Sequence, residues 1–594
     1  MRPVPPVCAL VVLLLAAAAV PAARQAPYRT LNDTFAAPEH ASLDGWKARA
    51  AYLREHILAT AGLLPMPEKT PLNASVFGEL KRADYTVSKV YFESVPGFYV
   101  TGNLYRPNGA GPFPAILSAH GHWAHGRLEN TALASVPGRA INLARQGFVV
   151  FTYDMIGYID SRQLTHTFGG QRENLWGLSL AGLQLWNSIR AIDFLETLPY
   201  VKRDAIGATG ASGGGTQTFL LAAVDERVNV AAPVNMISLH MQGGCLCENL
   251  PGLRLDTTNV EIAATIAPRP LLMVSATGDW TKNTLEREYP AMRRIYGLFG
   301  AEDRVHAMRV DAPHNYNKES REAVYAWMAR WLQGAPADVR REERSVSPDA
   351  PPDVLVFYQR TLPDGAVTAA QLTENWIGAA RRQLATAAPA TLARAMHHAL
   401  GFGSTPRATD VARGFSPAID AQLKLRATKT VLVAGNDPEL VTGLQTTRFA
   451  VRQVAFTPFD ADAASKIRHF ETYNRTPAAQ RVFDIVAEIE KNPGAALVAG
   501  PDAGLEAMLA AAITHVPLAV VDAGAFDTTD DTRFVERLYI PGLRRAGDLQ
   551  TAAGMAGDRL VVHNAGAAFK VDARGVQAAP LTPREIINRI RELR

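Results

Sequence analysis

One glycine-dense turn constrains this chain more than any other stretch. Ala205-Ile206-Gly207-Ala208-Thr209-Gly210-Ala211-Ser212-Gly213-Gly214-Gly215-Thr216-Gln217-Thr218 passes from an apolar run through a glycine turn into a helix start. Within it, Gly210-Ala211-Ser212-Gly213-Gly214 fits G-x-S-x-G, in which a strained strand-to-helix turn lifts a serine hydroxyl over the edge of a sheet. Side chains beside such a serine would collide with the adjoining strand or helix, so the flanking positions favour glycine. A dinucleotide fingerprint fits poorly, because its last glycine would fall on Thr216, and a phosphate loop would need a Lys-Ser/Thr pair that is missing here. A lone serine hydroxyl is a weak nucleophile; it requires a base, an acid to orient that base, and donors for the oxyanion.

The surrounding rhythm says where to look for them. Tyr85 to Phe92 and Tyr99 to Tyr105, joined by the turn Val95-Pro96-Gly97, read as an antiparallel hairpin. Short apolar runs follow at Ala115 to Ala119, Phe148 to Tyr153, Ala205 to Thr209, Val228 to Val234, Leu271 to Ser275 and His306 to Val310, with helical stretches between them. Buried strands alternating with helices predict an α/β class, a mostly parallel sheet covered on both faces. An entry hairpin followed by such a sheet, with the serine turn at its middle, is the α/β-hydrolase plan, which places an acid after a late strand and a histidine after the last. Asp279 follows the Leu271 strand and His314 follows the His306 strand. The expected roles are Ser212 as nucleophile, His314 as general base and Asp279 as its orienting acid. Asp303 and Asp311 are rival acids, and His306, on the strand itself, reads as structural.

The oxyanion donors should be the backbone N–H of Gly213 and one from the loop Ala119-His120-Gly121-His122-Trp123-Ala124-His125, with His122 the expected second donor and Trp123 a substrate neighbour. This loop nearly matches H-x-H-x-D-H, but Ala124 stands where the aspartate would be, which argues against a binuclear metal site. Glu248, in Gly243-Gly244-Cys245-Leu246-Cys247-Glu248-Asn249, is a candidate substrate contact beside a structural alternative. Cys245 and Cys247 would by themselves give a metal too few ligands, and they could be free thiols or one local bridge.

With these residues in hand, the stretch from Tyr85 through Trp331 resembles bacterial secreted α/β hydrolases of the acetyl xylan esterase and cephalosporin deacetylase type. The likeness rests on Gly97-Phe98-Tyr99-Val100-Thr101-Gly102-Asn103-Leu104-Tyr105-Arg106-Pro107, His120-Gly121-His122, Gly210-Ala211-Ser212-Gly213-Gly214, Ala267-Pro268-Arg269-Pro270 and Pro313-His314-Asn315-Tyr316. It implies a serine carboxylesterase acting on acylated plant-cell-wall saccharides, with no cofactor. One departure is the run Gly213-Gly214-Gly215, where members often carry Gln and Gly after the serine. Two alternatives remain: a prolyl-oligopeptidase-like serine peptidase, against which stands the lack of propeller-like repeats ahead of the domain, and a non-catalytic saccharide-binding protein.

The rest of the chain frames this domain. Met1-Arg2, the apolar stretch Val7 to Val20 and the small residues at Ala22 and Ala23 read as a signal peptide over 1–23, which predicts a secreted or periplasmic protein without a membrane anchor after cleavage. Cys8 lies in that stretch without a lipoprotein-like lead. Residues 24–84 read as a helical segment, with Trp46, Ala50, Leu53 and Ile57 at helical spacing, and 85–334 as the catalytic domain. The charged, proline-containing stretch 335–353 reads as a linker. Residues 354–594 read as a degenerate hydrolase-like domain, in which Gly500-Pro501-Asp502-Ala503-Gly504 echoes the serine turn. Asp502 as a second nucleophile would need a histidine base, and only His515 and His563 follow it. A net charge of +4 over 594 residues, with no Lys/Arg run, predicts no nucleic-acid partner.

Overall fold

The computed structural model describes residues 28–402 and 429–593; the leader expected over 1–23, with Cys8, lies outside them. The first sheet has nine strands, β1 (Ser75–Lys81), β2 (Tyr85–Val95), β3 (Phe98–Pro107), β4 (Phe113–Ala119), β5 (Val149–Tyr153), β6 (Val201–Ala211), β7 (Val228–Val234), β8 (Leu271–Gly278) and β9 (Val305–Pro313). Their spatial order is β1-β2-β3-β5-β4-β6-β7-β8-β9. The entry strands pair antiparallel, and everything from β5 to β9 is parallel. This is the α/β-hydrolase fold.

Every strand expected from an apolar run is present. The N-terminal segment needs correction, since it contains β1 as well as the helix α1 (Leu43–Thr60). Ser75-Val76-Phe77-Gly78-Glu79-Leu80-Lys81 has no clean alternation because the pairing with β2 slips between Phe77 and Leu80. Being at the sheet edge, β1 has no fully buried residue that would mark it as a strand.

Two helices are enclosed on nearly every face. The first, α2 (Leu180–Thr197), starts at Ser179, whose side chain accepts the Gly182 N–H. The second, α3 (Gly213–Val224), leaves the serine turn and is buried from Gly213 through Ala223. After the closing helix α4 (Lys318–Gln333), the stretch expected to be a linker is instead a strap docked on the first sheet's layers. Glu343 pairs with Arg321 at 2.6 Å, and Arg344 exchanges hydrogen bonds with Asn142 at 2.9 and 3.0 Å. Its polar residues serve to dock it, which is why composition alone reads as a tether.

The strap ends on a buried charge cluster. The Arg127 guanidinium meets Asp154 at 2.5 Å and Asp160 at 2.7 Å, all with side chains at 0% exposure. Asp160 also accepts the Val356 and Phe357 N–H groups at 2.8 and 3.0 Å, while Asn103 donates to the Val354 carbonyl. Burial lifts the Asp154 carboxyl to about 6 despite the adjacent arginine.

Beyond the strap, α5 (Ala369–Leu384) and α6 (Pro389–Ala399) pack on the first half, with the Trp376 indole donating to the Trp176 carbonyl at 3.0 Å. A second sheet follows, made of β10 (Thr430–Ala434), β11 (Ala450–Gln453), β12 (Ala496–Ala499), β13 (Ala519–Asp522) and β14 (Leu560–His563). It is entirely parallel, in the order β11-β10-β12-β13-β14. That order repeats β5-β4-β6-β7-β8 of the first sheet and is equally that of a flavodoxin-like doubly wound fold. One hydrophobic core runs through both halves.

Replacing Arg127 by Ala leaves two carboxylates buried without their cation. A loss of about 3–5 kcal/mol is expected, read as a lowered urea midpoint against the parent chain.

Candidate active site

Strand β6 delivers Ser212 to the carboxyl edge of the sheet, and the turn into α3 holds it at φ 58°, ψ −125°. This is a left-handed conformation that costs a non-glycine residue energy, and it is held by crowding on all sides. A Cβ on Gly210 would lie 2.5 Å from the Gly214 carbonyl oxygen, and one on Gly214 would lie 2.6 Å from that of His120. Strand β6, the start of α3 and the loop after β4 can close around the serine only without those side chains. The unusual Gly213 has its own cause: a Cβ there would sit 2.7 Å from the His122 ring.

His314 and Asp279 are in contact. His314 Nδ1 donates to Asp279 Oδ2 at 2.9 Å, and the Asp279 side chain is 2% exposed. The other oxygen, Oδ1, accepts from the Thr281 N–H at 2.7 Å and the Thr281 hydroxyl at 2.5 Å. Because Asp279 fixes the proton on Nδ1, His314 Nε2 is left as the basic nitrogen; it is buried and without a hydrogen-bond partner among the described residues. Trp280 stacks on the His314 ring at 4.5 Å between centroids, and Trp123 covers it at 5.9 Å. Trp123 and Ser212 both crowd Gly121, since the Trp123 Nε1 and the Ser212 Cβ lie 3.1 and 3.2 Å from the position a Gly121 Cβ would take. Two residues after His314, Tyr316 binds Thr209 of β6 through its hydroxyl at 2.6 Å, tying the histidine loop to the serine strand.

Gly213 opens α3, so its N–H is among the donors that a helix start leaves without an intrahelical partner. The His122 loop is braced from behind by His120, which donates from Nδ1 to the Gly121 carbonyl at 2.7 Å and accepts the Met155 N–H on Nε2 at 3.0 Å. Burial pulls His120 down to about 3, so it stays neutral and is no rival base. Arg139, buried, donates to Ser118 and to the Ala119 carbonyl and lies over the Tyr316 ring.

Other candidates lie elsewhere. Asp311 accepts from Thr277 at the surface, Asp303 lies on the turn ahead of β9, and His306 packs against Tyr289 and Trp327. Glu248 is buried, and its carboxylate accepts the Gly244 and Cys245 N–H groups at 2.7 and 2.9 Å. Through Oε2 it braces its own loop, the structural alternative to a substrate contact. In the second half, Asp502 follows β12 as Ser212 follows β6, but its backbone is not in the left-handed region. His515 is exposed, and His563 lies beside Asp522 at 3.8 Å, accepting the Leu581 N–H on Nδ1.

The structure adds residues that the sequence did not single out. Thr281 carried a readable signal, since an Asp-x-Thr pair commonly closes a side-chain turn on itself. His166, from the loop after β5, had none; it joins His122, Cys245 and Cys247, and the four donor atoms all lie within 4.8 Å of one another. Both cysteines are free. The Cys247 thiol beside it, opposed by burial and helped by the His122 and His166 rings, holds Cys245 well below the usual thiol range, while burial pushes Cys247 up.

A strained serine on a parallel sheet, with an Asp–His pair from the last two strand exits, defines a hydrolase of the α/β-hydrolase fold. Residues 97–383 match the model of the S15 family, X-Pro dipeptidyl-peptidase. Among solved structures, methylesterase BT1017 is 28% identical with a TM-score of 0.50, covering 58% of this chain and 78% of that one. A Bacteroides fragilis structure titled as an acetyl xylan esterase has 15% identity and a TM-score of 0.39, covering 50% of this chain and 87% of that one. YtaP of Bacillus subtilis (strain 168), named as a hydrolase, is 24% identical over 45% of this chain and 95% of its own length.

Gly210→Ala would push a methyl group into backbone on both sides. Expected are a stability loss of about 1–3 kcal/mol and a sharp drop in the rate of fluorophosphonate labelling, measured by thermal unfolding and mass spectrometry.

Proposed function

We propose that the chain is an exported serine carboxylesterase that removes acyl groups, acetyl first among them, from plant-cell-wall saccharides. The observation that carries this reading is the Asp279–His314 hydrogen bond at the same carboxyl edge of the sheet as the left-handed Ser212. In the reaction, His314 Nε2 takes the Ser212 proton as Oγ attacks the ester carbonyl, and the Gly213 and His122 N–H groups hold the oxyanion. His314 then protonates the departing alkoxide and later activates the water that releases the acid. Asp279 keeps the proton on Nδ1 and stabilises the imidazolium. Trp123, next to both Ser212 and His314, would form a wall of the acyl pocket.

Two specific observations favour second readings. The methylesterase likeness points to an ester in which the saccharide supplies the acid and methanol leaves. The S15 match points to cleavage after an X-Pro pair, which the same serine chemistry would serve. The methylesterase likeness extends over more of the chain than the peptidase-family match, and it therefore ranks the ester readings first.

The test sets p-nitrophenyl acetate, acetylated xylan and methyl-esterified pectin beside an X-Pro p-nitroanilide, with released acetate and methanol quantified. Acetate release that outpaces both methanol and p-nitroaniline is expected; efficient anilide cleavage with negligible ester turnover would overturn the proposal. Asp279→Asn should lower kcat about 10⁴-fold with little change in KM, because it fixes the wrong tautomer on His314. Ser212→Ala should lose the fluorophosphonate adduct while the unfolding midpoint holds.

A further inference from the structure

Beside the oxyanion loop, three strand exits converge on one small volume. The loop after β4 brings His122, the loop after β5 brings His166, and the loop after β7 brings Cys245 and Cys247. We propose that these four side chains form a tetrahedral Cys₂His₂ site for a zinc ion, which ties these three loops together.

Distances fit this assignment. Bonds of about 2.1 Å to nitrogen and 2.3 Å to sulfur place neighbouring donors of a tetrahedral zinc roughly 3.3–3.8 Å apart. The four donor atoms already lie within 4.8 Å of one another, and His122 Nε2 is 3.0 Å from Cys247 Sγ. Cys245 caps the single 3-10 turn Leu246–Glu248 that carries Cys247, and both cysteine donor atoms fall in the same cluster.

A second observation is independent of that clustering. His166 Nδ1 lies 2.6 Å from the Ile156 carbonyl oxygen, which can only accept, so the ring proton is on Nδ1. The Nε2 lone pair therefore faces the cluster, buried and with no hydrogen-bond partner among the described residues. A backbone carbonyl that fixes the far nitrogen is the usual support behind a metal-bound imidazole. Cys247 is buried and Cys245 half-buried, and both are reduced in the structure.

Two imidazoles and two thiolates suit a borderline-soft divalent ion, and binding sends the two thiol protons to solvent. Four protein donors fill a tetrahedron, leaving no position for water or substrate. The ion is thus structural: it holds the ring of the residue whose backbone N–H faces the oxyanion, and whose ring edge lies against Gly213. The site stands whether or not the ester reading does.

The full chain, purified without chelator, is expected to carry one zinc per molecule by elemental analysis. Stripped under reducing conditions, it should take up one cobalt with the visible bands of a tetrahedral site and a thiolate-to-metal charge-transfer band. Zinc should slow the reaction of both thiols with a disulfide reagent at least tenfold. His166→Ala should lose the bound ion, whereas His125→Ala, on the His122 loop but outside the four donors, should keep it. The proposal is overturned if the reduced chain takes up no stoichiometric zinc or cobalt, if zinc leaves thiol reactivity unchanged, or if His125→Ala loses the ion and His166→Ala keeps it. A chain isolated with a Cys245–Cys247 bridge that takes up no metal after reduction would likewise overturn it.

Discussion

The left-handed backbone at Ser212 is the constraint from which the active site follows. A serine there has no local reason to hold φ near 58°; it is held because β6, α3 and the loop after β4 approach until glycines alone fit between them. The same contacts that strain the serine set the His122 loop against its neighbour. Crowding and catalytic geometry are therefore one arrangement, and neither can be relaxed separately.

The histidine side is secured by different means. Asp279 has its oxygens divided between Thr281 and His314, so each partner fixes the other's position. Two indoles flank the imidazole, and its Nε2 is buried. The Tyr316 hydroxyl then carries this loop back to β6 at Thr209, the residue before Gly210 and the turn. Serine and histidine thus share an anchor although a hundred residues of chain lie between them.

Much of this was legible because it depends on local pattern. Apolar runs of strand length located the parallel strands, and the fold's order then placed Asp279 and His314 at strand exits. What the sequence hid depends on long-range packing. Strand β1 is a bulged edge with no alternation to read. The strap over 335–353 has a tether's composition, yet its charges meet partners such as Arg321 and Asn142. Glu248 looked available because nothing in the sequence shows that its carboxylate closes on its own loop. His166 joins two cysteines far along the chain only because the exits of β5 and β7 lie near one rim. The echo at Asp502 was visible in strand order, but the missing left-handed turn was not.

The strap's landing place bears on how the chain is made. The Arg127, Asp154 and Asp160 cluster sits within the first sheet's layers, but two of the N–H groups that Asp160 accepts belong to Val356 and Phe357. As the chain leaves the ribosome, the strand carrying His314 emerges well before those amides do. Until they arrive, a buried anion lacks part of its solvation, so the nascent first half waits, incompletely settled, for the opening residues of the second.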